Sequence, residues 1–307
     1  MKIKQIKMPY DKVEKLKRPK HKTPKRPNIF FRTLVRVLAQ FDVWATKFTY
    51  TTKDLDKIGD QPCLILMNHS SFVDFEIAHS ILYPKPFCVV ATTDAFVGKA
   101  WLMREIGCIP TQKYVNDVTL INDMEYALKN QNASVLMYPE AGYSFDGTAT
   151  ALPRSFGRLL KKLDVPVMYI QTFGAFSRDP LYNCLQRRKV KVSAEVSCLL
   201  TKEQVQSMSV AELDSVIDRA FTFDGFAWQY ENKIEINEPF RADGLNRILF
   251  KCANCLEEGK MIGKGTTENV PTAARNTSLI SMENCMLFRV IQSLSTFPIG
   301  INGNASV

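Results

Sequence analysis

Short apolar runs alternate with segments of helical spacing between residues 62 and 172, and this alternation constrains the fold of the 307-residue chain most strongly. The apolar runs are 63–67, 87–91, 135–138 and 167–172. Short runs that are wholly or mainly apolar are typical of strands buried on both faces. Residues 117–130 and 154–163 show helical spacing between such runs. The chain therefore predicts an α/β fold in which helices flank a mixed β-sheet.

Residues 189–198 follow a different pattern, because apolar and mostly polar side chains alternate strictly. The apolar positions are Val190, Val192, Ala194, Val196 and Cys198. A period of two places these side chains on one face of a strand. We expect a half-exposed strand at or near an edge of the sheet.

Residues 28–48 carry apolar side chains at i, i+3, i+4 and i+7 spacing, which predicts an amphipathic helix. The apolar positions are Phe31, Leu34, Val35, Leu38, Phe41, Ala45 and Phe48. The opposite face carries Arg32, Arg36, Gln40 and Lys47, and Asp42 is a charge on the apolar side. Such a helix either packs on a core or lies in a membrane interface.

The net charge of +9 lies at the N-terminus, since residues 1–26 hold eleven basic and two acidic side chains. The neutral remainder excludes a protein that coats nucleic acid with a uniformly basic surface. The Pro- and Lys-rich composition predicts a disordered basic arm over residues 1–27. Each basic residue near an anionic leaflet contributes roughly 1 kcal/mol, so the arm favours the membrane-interface interpretation of the following helix.

The sequence contains few signals for membrane targeting or for disulfide formation. We expect no membrane span, because no apolar run approaches the ~18–20 residues that a bilayer requires, and no signal peptide. Most of the eight cysteines are isolated in apolar stretches, which predicts reduced thiols in the cytosol.

His69 is the strongest candidate for imidazole chemistry among the three histidines. It directly follows the apolar run 63–67, and α/β folds place their chemistry at the carboxyl ends of such strands. Asp74 follows five residues later, about one helical turn past a predicted helix start near Ser71. That carboxylate can fix the tautomer of the ring, so that the other ring nitrogen removes a proton.

With these residues the chain resembles the glycerolipid acyltransferase family of 1-acylglycerol-3-phosphate O-acyltransferases, from about residue 60 to 200. The first family motif, N-H-x4-D, is matched in full by residues 68–74. The second, G-x-I-F-I-x-R, is similar to residues 107–113. The third, F-P-E-G-T-R-S, is similar to residues 138–144, and a V-P-I/V strand start falls at 165–167.

The resemblance implies roles for individual residues. His69 would deprotonate a glycerol hydroxyl and Asp74 would orient it. Glu140 would help to position the acceptor and Lys113 would hold its phosphate. The expected substrate-binding residues are Asn68, Lys113, Glu140, Gly142 and Ser144.

The family also implies the partners and the location. The acyl donor would be acyl-CoA or acyl carrier protein, and the acceptor a lysolipid such as 1-acylglycerol-3-phosphate. No metal or redox cofactor is implied for catalysis, and no nucleic-acid partner is expected. We expect a peripheral protein on an anionic membrane surface, at the cytoplasmic face of the cell membrane.

The chain departs from the family at the positions expected to bind phosphate. Lys113 replaces an arginine and loses its bidentate geometry, and Tyr143 replaces a second arginine with a neutral side chain. Ala141 stands where the third motif has glycine, so the loop glycine has moved to Gly142. Lys99 and Arg178 are candidate replacement cations, and the acceptor can be a lysolipid other than lysophosphatidate.

Three alternatives remain open from the sequence. A serine hydrolase needs a G-x-S-x-G string, and residues 142–147 place the second glycine one position too late. A basic arm with a zinc-ribbon fragment is consistent with a nucleic-acid-binding protein. The altered third motif is consistent with a catalytically silent relative.

The C-terminal part carries one C-x-x-C pair, Cys252 and Cys255, which is how half a zinc ribbon begins. A second pair is missing, so this metal site is incomplete. One hypothesis is a frame-shift after Thr267, since permissive codons for the following residues encode a second C-x-x-C in another frame. The predicted organisation is a basic arm (1–27), a membrane-interface helix (28–50), an acyltransferase domain (51–248) and a ribbon-like segment with an irregular tail (249–307).

Overall fold

The structure, a computed structural model, describes residues 7–14, 21–112, 117–251, 258–269 and 277–278. Its centre is a seven-stranded sheet in the order β1-β7-β6-β2-β5-β3-β4. The strands are β1 (Thr49–Lys53), β2 (Leu64–Met67), β3 (Phe87–Thr92), β4 (Cys108–Thr111), β5 (Ser134–Met137), β6 (Val167–Phe173) and β7 (Ser193–Leu200). The pairings from β6 to β4 are parallel, and β7 is antiparallel to β6. The predicted mixed sheet is confirmed.

Helices flank the sheet, and two of them precede the first strand. They are α1 (Tyr10–Glu14), α2 (Ile29–Ala45), α3 (Val73–Leu82), α4 (Ala100–Glu105), α5 (Val118–Lys129), α6 (Phe156–Leu163), α7 (Ala175–Arg178), α8 (Lys202–Ser207), α9 (Val210–Ala220) and α10 (Gly225–Glu231). Short 3-10 helices occur at Leu55–Lys57, Thr93–Phe96, Leu181–Asn183 and Leu245–Arg247.

The two outermost strands were not predicted from the sequence, and each has a local reason. All five residues of β1 are exposed, so β1 lacks an apolar pattern. Strand β4 contains Pro110, which cannot donate a ladder hydrogen bond and is tolerated at a sheet edge. Strand β7 lies next to β1, second from the edge, which agrees with its predicted position.

The hydrophobic core lies on both faces of β2. Leu64 and Leu66 join the apolar cluster on one face, and Ile65 and Met67 join the cluster on the other, because successive strand residues point to opposite sides. All four side chains are buried. Strand β2 is therefore held rigidly from both faces, and its carboxyl end is a firm support for the residues that follow.

The segment 21–27 packs on the body, although its composition predicted disorder. His21 Nε2 lies 2.9 Å from Asp123 Oδ1, and Lys25 pairs with Glu105. Both prolines of the segment are buried. The basic side chains pair with carboxylates, and the prolines bury apolar surface. These contacts order a segment whose composition alone predicts a flexible arm.

Helix α2 packs on the body with the side that carries Ala39 and Val43, and polar contacts flank this packing. Arg32 donates to the Pro84 carbonyl at 2.6 Å. Arg187 donates to both oxygens of Asp42, at 2.6 and 2.9 Å. Asp42, predicted as a charge on the apolar side, therefore faces the body, where an arginine distant in sequence holds it.

The other side of α2 is apolar and exposed to solvent. We call it the α2 apolar face, and it consists of Ile29, Phe30, Leu34, Val37, Leu38, Phe41 and Trp44. Phe41 is 66% exposed and Trp44 is 67% exposed. Within the described part of the chain, no helix combines the length and apolar character required to cross a bilayer.

The C-terminal part contains more regular structure than the predicted irregular tail. Strands β8 (Ile262–Lys264), β9 (Thr267–Asn269) and β10 (Thr277–Ser278) form a small antiparallel sheet in the order β10-β9-β8. Gly263 lies against the backbone of Ala242, which attaches β8 to the loop before it. The C-x-x-C pair lies outside the described residues. Of the sequence proposed to be frame-shifted, the structure describes only residues 268–269 and 277–278.

Candidate active site

His69 lies at the carboxyl end of β2, at the point where the chain turns towards α3. Its Nδ1 is 3.2 Å from Asp74 Oδ2, so the structure brings the two predicted catalytic residues together. The imidazole is 17% exposed, and the Asp74 side chain is fully buried. One ring nitrogen is thus fixed by a buried carboxylate while the ring still reaches the surface.

Asp74 is held by the backbone at the start of α3. Its Oδ2 accepts hydrogen bonds from the amides of Ser70 at 2.7 Å and Ser71 at 2.9 Å. Its Oδ1 accepts one from the Thr172 hydroxyl at 3.2 Å. A carboxylate in the first turn of a helix is also favoured by the helix dipole. These contacts compensate for the burial of the charge and fix its direction towards His69.

Asn68 joins the two central strands next to the site. Its Oδ1 accepts from the Thr172 amide at 2.7 Å. The Thr172 hydroxyl lies 3.0 Å from Asn68 Oδ1 and 3.2 Å from Asp74 Oδ1, so the two oxygens share its single proton. Asn68 Nδ2 donates to the Thr172 carbonyl at 3.2 Å. Thr172 therefore connects Asn68 with Asp74. The sequence pointed to Thr172 only as the end of an apolar run.

Two tyrosines enclose the His69 ring. The Tyr138 ring stacks on it with centroids 3.8 Å apart and an interplanar angle of 19°. The Tyr143 ring meets it at 4.4 Å and 61°. Burial raises the pKa of both phenols, and the Asp74 carboxylate adds to the shift. Both side chains are neutral at physiological pH, so the imidazole lies between two uncharged aromatic rings.

Glu140 supports His69 from the backbone side. Its Oε2 accepts the His69 amide at 2.8 Å and its Oε1 accepts the Thr150 amide at 3.0 Å. Burial raises the pKa of this carboxyl, and the two backbone hydrogen bonds partly offset the shift. Both oxygens are thus bound to the chain, so the geometry favours a role in positioning His69 and the following loop.

Hydrogen bonds of Ser144 stabilise the loop that carries Tyr143. Its amide donates to the His69 carbonyl at 2.8 Å, and its hydroxyl donates to the Thr148 carbonyl at 2.7 Å. The same hydroxyl accepts the Gly147 amide at 3.0 Å. The Ser144 oxygen is therefore occupied within the loop and is not presented as a nucleophile to His69.

Residues 48–171 match the family model named Acyltransferase. This segment belongs to the acyltransferase family. It contains the His69–Asp74 pair together with Tyr138, Glu140 and the loop up to Ser144. No curated protein matches the chain.

A solved structure similar to this chain is the 1-acyl-sn-glycerophosphate (LPA) acyltransferase PlsC from Thermotoga maritima. The two share 15% sequence identity with a TM-score of 0.48, and the match covers 62% of this chain and 76% of that chain.

Of the three predicted cations, the structure describes Lys99 and Arg178. Lys113 lies outside the described residues, and Lys99 is exposed before α4. Arg178 is buried, with Nη1 3.3 Å from Asp179 Oδ2 and Nη2 3.7 Å from Asp42 Oδ1. Its charge is thus already balanced by two carboxylates.

Asp179 is a buried acid that the sequence analysis missed. It is 5% exposed, and burial raises its pKa to about 6, while Arg178 and the Ser71 hydroxyl lower it. Its Oδ1 is buried without a hydrogen-bond partner among the described residues. Asp179 follows α7 and is distant from His69 in the sequence, so no local pattern points to it.

The metal prediction rested on Cys252 and Cys255, both outside the described residues. Among the residues that the structure does describe, no group of three or more His, Cys, Asp or Glu side chains is arranged to hold a metal ion.

Ala141 has the conformation that glycine would favour. Its φ is 55°, in the left-handed region, whereas Gly142 has no positive φ. We expect Ala141→Gly to raise the free energy of unfolding by about 0.5–1 kcal/mol, because a Cβ is strained there. Urea denaturation measures the change, and Ala149→Gly in the same loop is the control. Equal or lower stability of Ala141→Gly would contradict the interpretation.

Proposed function

We propose that the protein transfers a fatty acyl group from an acyl thioester to a hydroxyl of a lysolipid. The supporting observation is the His69–Asp74 pair, in which a buried carboxylate holds Nδ1 of a partly exposed imidazole. This arrangement is suited to removal of a proton by Nε2. The acyltransferase family supplies the reaction class.

In the proposed reaction the catalytic side chains are those of His69 and Asp74, which both lie within residues 48–171. Nε2 of His69 takes the hydroxyl proton as the oxygen attacks the thioester carbonyl, and the carbon–sulfur bond breaks. The imidazolium is stabilised by Asp74 and returns its proton to the leaving thiolate, so protons balance over the turnover. The products are an acylated lipid and a free thiol. Acyl-CoA and acyl carrier protein are the donors we propose.

The membrane location that we propose rests on the α2 apolar face. Its residues recur at helical spacing, and the side of the helix that carries Ala39 and Val43 is already packed on the body. An exposed apolar stripe of this kind, next to a basic arm, fits an interfacial helix on an anionic bilayer. Lysolipids reside in that bilayer, so docking would bring the acceptor to the enzyme.

Two further exposed aromatic side chains are consistent with this orientation. Trp101 on α4 is exposed, and its ring meets Phe31 of α2 at 5.8 Å. Phe72 is exposed and lies three residues after His69. Apolar surface therefore reaches from α2 to α4 and also occurs beside the catalytic turn.

Substitution of the α2 apolar face tests the docking. Phe41→Asp is expected to weaken binding to phosphatidylglycerol-containing vesicles by about tenfold or more, because it removes a phenylalanine whose burial contributes about 1.5–3 kcal/mol. Vesicle co-sedimentation measures the binding. Val118→Asp, an equally exposed apolar position on α5, is the control. Equal loss of binding in both variants would contradict docking through α2.

The proposed reaction is tested with acyl-CoA and a panel of lysolipids, by mass spectrometry of the lipid products. We expect a diacylated product from at least one glycerol-based lysolipid. Release of free fatty acid at the same rate with and without an acceptor would contradict transfer and indicate a thioesterase.

A further inference from the structure

Oδ1 of Asp74 has one hydrogen-bond donor within the described part of the chain, the hydroxyl of Thr172 at 3.2 Å. The other carboxylate oxygen, Oδ2, accepts from the amides of Ser70 and Ser71 and lies 3.2 Å from His69 Nδ1. The Asp74 side chain is fully buried, and a buried carboxylate oxygen without a donor is costly. Thr172 therefore holds the carboxylate oxygen that the catalytic turn itself does not bind.

The hydroxyl proton of Thr172 has two acceptors to choose between, Asn68 Oδ1 at 3.0 Å and Asp74 Oδ1 at 3.2 Å. The Asn68 oxygen is neutral and already accepts the Thr172 amide at 2.7 Å. The Asp74 oxygen belongs to a carboxylate, and hydrogen bonds to an ionised acceptor are roughly twice as strong as those between neutral groups. This difference outweighs the slightly longer distance, so the shared proton is drawn towards Asp74.

Thr172 itself is held firmly in place. Its residue lies on β6 beside the end of β2, two positions after the pair of Ile170 with Met67. The Asn68 side chain binds both the amide and the carbonyl of Thr172, at 2.7 and 3.2 Å. Thr172 is 1% exposed, and a β-branched side chain has few rotamers. The hydroxyl is therefore presented to Asp74 from a fixed point and is too deeply buried to touch a substrate.

We propose that Thr172 is a positioning residue of the active site, because its hydroxyl fixes Oδ1 of Asp74 and thereby keeps Oδ2 directed at Nδ1 of His69. The two amide hydrogen bonds alone fix Oδ2 as a point and leave the carboxylate free to pivot about it. With both oxygens held, the proton of the neutral imidazole stays on Nδ1, and Nε2 is left to accept the substrate proton. This inference rests on the proposed acyl transfer and adds a residue from the neighbouring strand to it.

Steady-state kinetics of the full-length protein in uncharged detergent micelles test this role. Thr172→Val removes the hydroxyl and keeps the branched shape, so we expect kcat to fall by about 10–100-fold and KM for both substrates to stay within about twofold. Thr172→Ser keeps the hydroxyl and should restore most of kcat. Thr46→Val is the matched control, since Thr46 is also 1% exposed and donates its hydroxyl to the Val43 carbonyl at 2.7 Å. Wild-type kcat in Thr172→Val overturns the inference.

A double-mutant cycle separates positioning through Asp74 from a merely structural role. In the Asp74→Asn background the charged acceptor is gone, so adding Thr172→Val should lower kcat by less than about twofold. A further fall of about tenfold or more in the double variant would show that Thr172 acts independently of the Asp74 charge, which overturns the inference.

The tautomer of His69 provides a readout that needs no activity. Nitrogen-15 NMR of ring-labelled histidine in alkaline buffer distinguishes a proton on Nδ1 from one on Nε2. The chain has three histidines, so the His69 signals are identified by their absence from His69→Gln. We expect the Nδ1 tautomer in the wild type and in Thr172→Ser, and a mixture of both tautomers in Thr172→Val.

The outcomes of the NMR comparison are distinct from those of the acylation assay. An unchanged tautomer in folded Thr172→Val overturns the inference and leaves the proposed function standing. A wild-type proton on Nε2 also overturns the inference and needs no variant, so misfolding of Thr172→Val does not remove the test. Failure of the wild type to acylate any lysolipid overturns the proposed function itself.

Discussion

Replacement of His69 by alanine is expected to lower kcat for acyl transfer by about 10²–10⁴-fold, which is the usual contribution of a positioned general base. The imidazole is the group that Asp74 orients, and Asp74 itself is fully buried. Steady-state kinetics with acyl-CoA and the best lysolipid acceptor measure the effect.

A loss of structure has to be separated from a loss of chemistry in this variant. The His69 ring is packed between two tyrosines, so thermal melting of the His69→Ala protein is a necessary companion measurement. His21→Ala is the control, since His21 is half exposed and pairs with Asp123 on α5. Activity close to wild type in folded His69→Ala would remove His69 from the base role.

Substitution of Asp74 is expected to have the largest effect on stability. Asp74→Ala leaves the buried amides of Ser70 and Ser71 without their acceptor, whereas the Thr172 hydroxyl keeps Asn68 Oδ1 as a partner. Each unsatisfied buried donor costs about 1–3 kcal/mol, so we expect a loss of about 3–5 kcal/mol in the free energy of unfolding. Urea denaturation measures this loss.

Asp74→Asn separates the two contributions of this side chain. The amide keeps the shape and one acceptor oxygen but loses the negative charge that stabilises the imidazolium. We therefore expect a smaller loss of stability than in Asp74→Ala, together with a fall in kcat of about 10²–10⁴-fold. Asp218→Ala, an exposed acid on α9, should change stability by less than about 0.5 kcal/mol. An active Asp74→Asn enzyme would contradict the assigned role.

The part of the site that lies in one stretch of chain could be predicted from the sequence. An apolar run followed by His69 and then by Asp74 gave the strand, the turn and the catalytic pair, because all of these contacts lie within a few residues. The buried strands β2, β3, β5 and β6 were predictable for the same reason, since each has a short and mainly apolar run.

The contacts that cross the sheet could not be predicted. Thr172 reaches the site only because β6 lies beside β2, and local periodicity does not predict the order of the strands. The same holds for α2, whose attachment depends on the pair of Asp42 with Arg187, which are 145 residues apart. Periodicity predicted the amphipathic helix but placed Asp42 on its apolar side.

The same limit applies to the third motif. The sequence showed that Tyr143 stands where the family has arginine, but not where the phenol goes. The structure places the Tyr143 ring against His69.

We propose that His69 catalyses direct transfer with no covalent acyl-enzyme, and mass spectrometry of the intact protein distinguishes direct transfer from an acyl-enzyme. The protein is incubated with acyl-CoA alone, and then with the lysolipid acceptor, while intact-protein mass and free CoA are followed. We expect an unmodified protein mass throughout, and release of CoA together with an equal amount of acylated lipid only after the acceptor is added. An acylated protein, or CoA released at the full rate before the acceptor is present, would contradict it.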